Sequence, residues 1–267
     1  MLPDSDAVGR IIAETAAAEI TPRFRQLGEG EVGEKRPGEV VTIADTAAES
    51  RLARALGALL PGSRFVGEEG VHADPGSAAA LAGADPVWVV DPLDGTANFA
   101  AGIPCFVSMV ALVRAGCALM GWIHDPLSRR TASAAVGEGA WCDGRRLRVA
   151  PVSAAGRPDG EGGRRRGNRR LVRRLGEAAG LVDESFDLRC AGKEYLALAE
   201  GEAQFALYLR LHPWDHAAGE LLFREAGGIS ARLDGSPYTP RESSGGLLLA
   251  PDPASWRALR QALEDRL

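Results

Sequence analysis

Two aspartates lie three residues apart in the segment VWVVDPLDGTANF, at residues 87–99. The apolar run before them predicts a buried strand that ends at Asp91, with Asp94 just beyond it. Two carboxylates this close to a strand end repel each other strongly unless cations lie between them. Carboxylate oxygens are hard ligands that suit Mg²⁺. The spacing therefore predicts a site for divalent cations.

The residues around these aspartates favour an anion at the same place. Pro92 restricts the backbone directly after Asp91 and helps to aim both carboxylates at one point. Gly95 permits the backbone geometry that turns amide N–H groups toward an anion. Thr96 offers a hydroxyl and can begin a helical turn, whose free N–H groups favour phosphate. Magnesium together with phosphate is the interpretation that uses all of these residues.

Three more acidic residues fit such a site. Glu68 and Glu69 follow a short apolar run and a glycine, and Asp215 stands near the start of the helical pattern WDHAAGELLFREAGG. Each also has an alternative interpretation, because adjacent glutamates can be solvated and an aspartate near a helix start can be a cap. His212 and His216 flank the Trp-Asp pair without the spacing of paired helical metal ligands.

Composition limits the class of protein. The chain has 267 residues, of which 45% are apolar, and a formal net charge of −5. This length predicts roughly two domains or layered halves, or one large α/β unit, and the irregular segment after residue 150 divides the chain into 1–150 and 151–267 within one compact unit. No apolar run reaches the ~18 residues of a membrane span, and the start has no signal-peptide pattern, so we expect a cytoplasmic protein without a membrane partner. The acidic balance argues against nucleic acid as a partner, and the four scattered cysteines indicate free thiols.

The pattern of elements alternates strands and helices, which predicts a layered α/β or α+β fold. Periodicity predicts helices over 6–27, from Asp45 to the Pro61-Gly62 stop, and over 168–180, 193–200, 214–226 and 252–266. Strands are predicted over 64–69, 87–91, 105–113, 118–125, 131–136, 203–209, 229–233 and 246–250, with a hairpin turn at Asp143-Gly144. The segment 28–39 is typical of an exposed, mobile loop, and 153–170 of a boundary between the halves. The arginine-rich stretch 164–174 is interpreted as solvated rather than as a nucleic-acid site.

Three motifs in this order, GEE at 67–69, DPLDGTANF and WDHAAGELLFREAGG, resemble the inositol monophosphatase family of metal-dependent, lithium-sensitive sugar phosphatases. The resemblance covers essentially residues 6–250. It implies an αβαβα sandwich, a homodimer, and Mg²⁺-dependent cleavage of a small phosphorylated substrate.

The resemblance also implies roles for individual residues. Glu68, Asp91 and the Leu93 carbonyl match the ligands of a first Mg²⁺. Asp91, Asp94 and Asp215 match those of a second, and Glu69 matches a position associated with a weaker third ion. Gly95 and Thr96 match the phosphate-binding turn, Asp45 a residue that bonds the threonine, and Lys35 a basic residue on a mobile lid. Glu68 and Thr96 are then expected to orient and deprotonate a metal-activated water for in-line attack on phosphorus.

Substrate choice is where this chain departs from the family pattern. The run Gly192-Lys193-Glu194-Tyr195 is larger and more charged than in members that act on inositol phosphates, and Tyr208 stands where the animal enzymes have an acidic contact. An inositol 1-phosphate-like monoester ranks first. Histidinol phosphate, fructose 1,6-bisphosphate and 3′-phosphoadenosine 5′-phosphate are alternatives, and Lys193 is a candidate contact for a second anionic group. A regulatory RNA- or polymerase-binding protein on the same fold is the alternative from another class.

Overall fold

A computed structural model describes residues 2–150, 152 and 165–264. Its helices are α1 (Ser5–Thr15), α2 (Ile43–Leu59), α3 (Glu68–Ala73), α4 (Thr96–Ala100), α5 (Arg169–Leu175), α6 (Ala191–Ala199), α7 (Pro213–Glu225) and α8 (Pro253–Glu264). The strands are β1 (Val32–Arg36), β2 (Glu39–Thr42), β3 (Arg64–Gly67), β4 (Val87–Asp94), β5 (Val107–Arg114), β6 (Cys117–Asp125), β7 (Arg130–Ala135), β8 (Gly139–Cys142), β9 (Arg145–Arg146), β10 (Arg166–Asn168), β11 (Glu184–Phe186), β12 (Ala206–Tyr208), β13 (Ile229–Arg232) and β14 (Leu247–Ala250). Shorter 3₁₀ and π segments connect several of them.

The largest sheet has seven strands in the order β3-β4-β5-β6-β7-β8-β9. Strands β3 and β4 are parallel and the remaining pairs are antiparallel. Successive residues of β4 and β5 are buried, and alternate residues of a strand point to opposite sides, so both faces of the sheet are apolar. Val90 and Val110 pack on one face with residues of α1 and α2, whereas Val89 and Met109 pack on the other with residues of α6 and α7.

A second sheet, ordered β12-β14-β13, lies on the far side of α6 and α7. Leu247 and Leu249 of β14 join the core beneath these helices, while Leu248 and Ala250 pack with residues of α5 and α8. The layers therefore run helices, sheet, helices, sheet, helices, which confirms the predicted αβαβα architecture. None of the described helices has the length and apolarity that crossing a bilayer requires.

The segment 28–39 is mostly exposed, as predicted, but the prediction of a loop was wrong for residues 32–39. These residues belong to the antiparallel hairpin β1–β2, in which Arg36 pairs with Glu39 across Pro37-Gly38. Proline presets the second residue of such a turn, and Gly38 takes the positive φ (84°) that the third residue requires. The Pro37-Gly38 pair could have predicted this turn, but the charged residues around it gave the segment the composition of a loop.

Two other boundaries differ from the sequence prediction. The first predicted helix, 6–27, is α-helical only to Thr15 and continues through a π turn and a 3₁₀ turn to Arg23, where Pro22 weakens helical hydrogen bonding. Most of the predicted boundary segment 153–170 lies outside the described residues. Its last residues are ordered, since β10 pairs in parallel with β11 and α5 follows directly.

Candidate active site

A bulge in β4 places both aspartates of the DPLD segment on the same side of the sheet. Asp91 pairs with Met109 and Asp94 with Val107, so three steps along β4 match two along β5. Residues three apart on a regular strand face opposite ways, and the extra residue corrects this. Ser108 secures the bulge by donating a hydrogen bond from Oγ to the Pro92 carbonyl (2.7 Å).

Glu68 and Glu69 begin α3, directly after β3. The buried Glu49 of α2 holds this first turn, because its carboxylate accepts hydrogen bonds from the backbone N–H groups of Glu69 (2.9 Å) and Gly70 (2.8 Å). Gly67 is needed beside it, since a Cβ there would lie 2.3 Å from Glu49 Oε2. Burial raises the pKa of Glu49 to about 7. Sequence reasoning missed Glu49, which has no motif around it.

Lys35 reaches the site from the β1–β2 hairpin. Its Nζ donates to Glu68 Oε1 (2.7 Å) and to Glu69 Oε1 (2.5 Å), and its side chain is only 5% exposed. The structure therefore places Lys35 on a strand, as an ion-pair partner of the two glutamates, instead of on a mobile lid loop. Burial raises the pKa of Glu69, and the ammonium of Lys35 opposes that rise.

Thr96 begins α4, and its hydroxyl lies 2.9 Å from Asp45 Oδ1 and 2.8 Å from the Leu93 carbonyl oxygen. Asp45 is fixed in turn by Thr42, whose N–H and Oγ1 both donate to Asp45 Oδ2 at the start of α2. Burial raises the pKa of Asp45 to about 7. Gly95 precedes Thr96 with φ +89°, and a Cβ there would lie 2.7 Å from the Cys105 carbonyl oxygen. The turn therefore admits only glycine without rearrangement.

Asp215 comes to the same place from the first turn of α7, which begins with Pro213 at a position that needs no N–H partner. Burial, followed by the charges of Glu68 and Asp94, raises the pKa of Asp215 well above its usual range. The same causes in the same order raise the pKa of Asp91. Burial also raises the pKa of Asp94 to about 6, against the Gly192 N–H that bonds its Oδ2 at 2.5 Å. These acids from three separate elements thus converge.

The donor set fits a hard divalent cation, because it consists of carboxylates whose mutual repulsion a cation would relieve. Lys35 supplies part of that compensation, at Glu68 and Glu69. Among the residues that the structure describes, no three acidic, histidine or cysteine side chains already form a ready metal-binding group. The argument for a metal ion at this site therefore depends on the type and crowding of the carboxylates.

A cavity of about 920 Å³ opens over these acids, and we call it the main cavity. Glu68, Asp94 and Asp215 line it together with the buried polar residues Tyr208, Glu194 and Asn168, of which sequence reasoning missed the last two. In this group, Glu194 Oε2 accepts hydrogen bonds from the Tyr208 hydroxyl (2.9 Å) and from Asn168 Nδ2 (3.2 Å). Tyr208, predicted as a substrate contact, therefore brings a carboxylate with it.

Gly192 and Lys193, also predicted as substrate contacts, differ in their placement. A Cβ on Gly192 would lie 2.4 Å from Val107 Cγ2, so glycine lets α6 approach β5. Lys193 donates from Nζ to Asp125 Oδ2 (2.7 Å) and is not among the residues that line the main cavity. The prediction that Lys193 meets a second anionic group is therefore not supported by its position.

The histidines next to Asp215 have no ligand geometry. His216 Nδ1 lies 3.0 Å from the Tyr195 hydroxyl, and Nε2 lies 2.9 Å from the Arg210 carbonyl oxygen. Burial lowers the pKa of His216 to about 4, so the ring is neutral and supports packing. His212 stacks on Trp214, with ring centroids 5.0 Å apart.

Comparison with known proteins supports this description. The chain is 36% identical over 230 residues to Nus factor SuhB of Pseudomonas aeruginosa, covering 84% of this chain and 83% of that protein. It is 34% identical over 235 residues to inositol-1-monophosphatase of Mesorhizobium japonicum, with 84% and 83% covered. The Thermotoga maritima IMPase structure superposes with a TM-score of 0.77 over 98% of each chain, at 22% identity, which shows the shared fold. The sequence model of the inositol monophosphatase family matches residues 5–265, and the chain belongs to that family.

Proposed function

We propose that this chain is a Mg²⁺-dependent hydrolase of a small polyol phosphate monoester, of the inositol 1-phosphate type. The observation that carries the proposal is the convergence of Glu68, Asp91, Asp94 and Asp215 beside the Gly95-Thr96 turn, where burial and the charges of Glu68 and Asp94 raise the pKa values of Asp91 and Asp215. Carboxylates crowded in this way are costly to fold unless cations use them.

The residues that would hold two or three Mg²⁺ ions are Glu68, Glu69, Asp91, the Leu93 carbonyl, Asp94 and Asp215. Bound there, Mg²⁺ supplies Lewis-acid polarisation and lowers the pKa of water. The free N–H groups at the start of α4 face an anion favourably, so Gly95 and Thr96 would hold the phosphate.

Thr96 and Asp45 form the proton-handling pair. The Thr96 hydroxyl donates a hydrogen bond to Asp45 Oδ1. The lone pairs of Oγ1 are then free to accept a hydrogen bond from an attacking water. Glu68 then takes a proton from that water as general base while the water oxygen bonds to phosphorus. The ester P–O bond breaks, and the leaving alkoxide takes up a proton from solvent to give the free polyol and inorganic phosphate. The water is thereby oriented by two side chains from α4 and α3, which β4 and β3 position side by side.

Glu194, Tyr208 and Asn168 support a polyol substrate. Their hydrogen bonds place a buried carboxylate at the wall of the main cavity, and burial raises its pKa. A carboxylate fixed in this way suits a sugar or cyclitol hydroxyl, which donates a charge-assisted hydrogen bond. In this chain the acidic residue is Glu194 of α6, whereas the family resemblance implies an acidic contact at the position of Tyr208.

The test is phosphate release from inositol 1-phosphate, histidinol phosphate, fructose 1,6-bisphosphate and 3′-phosphoadenosine 5′-phosphate. Each is assayed with Mg²⁺, with a chelator, and with added Li⁺. We expect Mg²⁺-dependent release that Li⁺ inhibits, with inositol 1-phosphate among the substrates. No release from any of them in Mg²⁺ would contradict the proposal.

Asp91→Asn provides the matched variant. Losing one negative charge from the residues that would hold Mg²⁺ should reduce kcat by at least about 10³-fold, a loss of about 4 kcal/mol of transition-state stabilisation. Asp234→Asn, on an exposed turn, is the control and should keep full activity. Near-normal turnover by Asp91→Asn with intact folding would refute the assignment.

A regulatory role on the same fold is the second candidate. It is favoured by the similarity to a protein named Nus factor SuhB and by exposed arginines on α5. Salt-dependent binding to RNA or RNA polymerase that survives Asp94→Ala would support it, since Asp94 belongs to the cation site. The homodimer implied by the family is likewise a proposal, which light scattering of the purified protein tests.

A further inference from the structure

Helix α5 carries four arginines, which we call the arginine face: Arg169, Arg170, Arg173 and Arg174. Each arginine of the first pair lies three or four residues before an arginine of the second pair, which places them on neighbouring positions of the helix surface. All four are exposed and line the main cavity, the same cavity that Glu68, Asp94 and Asp215 line. One cavity therefore has an acidic wall and a strongly basic wall.

Among the described residues, an ion pair compensates one of the four arginines of this face. Arg169 forms an ion pair with Asp187 (2.7 Å). Within the described ranges, Arg170, Arg173 and Arg174 have no hydrogen bond or ion pair. Like charges at these spacings destabilise a helix, so an anion bound in the main cavity would relieve the repulsion among these arginines.

The arginine face is held in a fixed relation to the cation site. Asn168 caps α5, accepting the Leu171 N–H on Oδ1 (3.1 Å), and donates from Nδ2 to Glu194 (3.2 Å). Glu194 lies two residues beyond Gly192, whose N–H bonds Asp94. A continuous series of contacts thus joins α5, α6 and the bulge of β4.

The size of the cavity agrees with a ligand that reaches both walls. At about 920 Å³, it lies near the top of the range of roughly 300–1,000 Å³ that is usual for small-molecule sites. A single phosphate at the Gly95-Thr96 turn would leave most of that volume for the rest of the substrate.

We propose that the arginine face is a second anion subsite, which selects substrates that bear another phosphate group besides the one that is hydrolysed. The proposal rests on the proposed function, since it names the substrate class of the same site. Guanidinium groups suit this role because their planar N–H donors bond phosphate oxygens in pairs. The arginines of α5 thereby take the role that sequence reasoning offered to Lys193, whose ammonium binds Asp125.

The experiment compares substrates that differ by one phosphate. Fructose 1,6-bisphosphate is paired with fructose 1-phosphate, and adenosine 3′,5′-bisphosphate with adenosine 3′-monophosphate, and kcat/KM is measured in Mg²⁺. The variant Arg170→Gln/Arg173→Gln removes two charges from the face. The control, Arg148→Gln/Arg257→Gln, removes two charges from exposed positions that do not line the main cavity.

We expect the unmodified protein to prefer the bisphosphate of at least one pair by about tenfold or more. The variant should lose that preference through a higher KM for the bisphosphate, with the monophosphate unchanged, and the control should retain it. Equal use of both members of each pair, or a preference that the variant retains, would overturn the subsite while leaving the proposed function intact.

If no probe releases phosphate, the proposed function fails and the subsite is tested separately. Titration calorimetry of the same pairs in Mg²⁺ then measures binding alone. Tighter binding of a bisphosphate that the variant loses supports the subsite, and equal binding overturns it. Salt-dependent RNA binding lost in the variant, without any bisphosphate preference, would also overturn it and would assign the face to a polyanion.

Discussion

At the scale of single residues, the site depends on side chains that hold other side chains. Glu49 contributes no group to the main cavity, yet both of its carboxylate oxygens accept N–H groups from the turn that carries Glu68 and Glu69. Sequence spacing predicted the crowding of Asp91 and Asp94, and the family resemblance implied the roles of Glu68, Glu69 and Asp215. It could not predict Glu49, since a lone glutamate within a helix resembles a solvated one until the partner helix is known.

Glu49→Gln should weaken the first turn of α3, because an amide can accept only one of the two N–H groups on its oxygen. We expect a loss of about 1–3 kcal/mol in the free energy of unfolding. We also expect a several-fold rise in the Mg²⁺ concentration for half-maximal activity, with kcat at saturating Mg²⁺ changed less. Glu14→Gln, on the exposed side of α1, is the control, and an unchanged Mg²⁺ requirement would contradict the positioning role of Glu49.

At the scale of elements, the sequence predicted those whose pattern is long and regular. Helices α2 and α7 and the strands β4 to β7 lie close to their expected ranges, because each buries an apolar stripe or face. The β1–β2 hairpin was missed because two short, charged strands carry little hydrophobic periodicity. The position of Lys193 could not be predicted either, since its partner Asp125 is distant in sequence and close only in the fold.

The contact between α6 and β5 gives an element-scale prediction. Gly192→Ala places a methyl group against Val107 and Met109, so α6 must move away and the N–H that bonds Asp94 moves with it. We expect a loss of about 1–3 kcal/mol in stability together with a clear fall in kcat.

Gly57→Ala is the matched control, because Gly57 lies within α2 and no atom stands within 4 Å of the added Cβ. That change should stabilise the protein by about 0.5–1 kcal/mol and leave activity unchanged. Thermal unfolding and phosphate release measure both variants, and a Gly192→Ala protein as stable and active as the Gly57→Ala protein would refute the packing argument.

At the scale of the whole molecule, buried carboxylates make stability depend on pH. The pKa of Asp45 and that of Glu49 are each raised to about 7 by burial, whereas unfolded carboxyls titrate near about 4. Between these values the folded state binds more protons, so stability falls as pH rises through that window.

For protein treated with a chelator, Tm should therefore be higher at pH 6 than at pH 8. Each unit of pKa difference corresponds to about 1.4 kcal/mol, or about 2–4 °C in Tm for a chain of roughly this size. Mg²⁺ should raise Tm more at pH 8, because protonated carboxyls do not bind metal. Calorimetry measures the slope, Asp45→Asn should reduce it, and a Tm that is flat from pH 6 to pH 8 would contradict the prediction.

The ion pairs of Lys35 have a consequence for the proposed binding of Mg²⁺. The ammonium bonds the two glutamates from the β1–β2 hairpin, so the chain carries its own exchangeable counter-ion. A divalent ion that binds those carboxylate oxygens must compete with the Lys35 ammonium group. A bound Mg²⁺ would therefore displace the Lys35 ammonium from Glu68 and Glu69, and without the ion the ammonium offsets part of the negative charge of these two carboxylates.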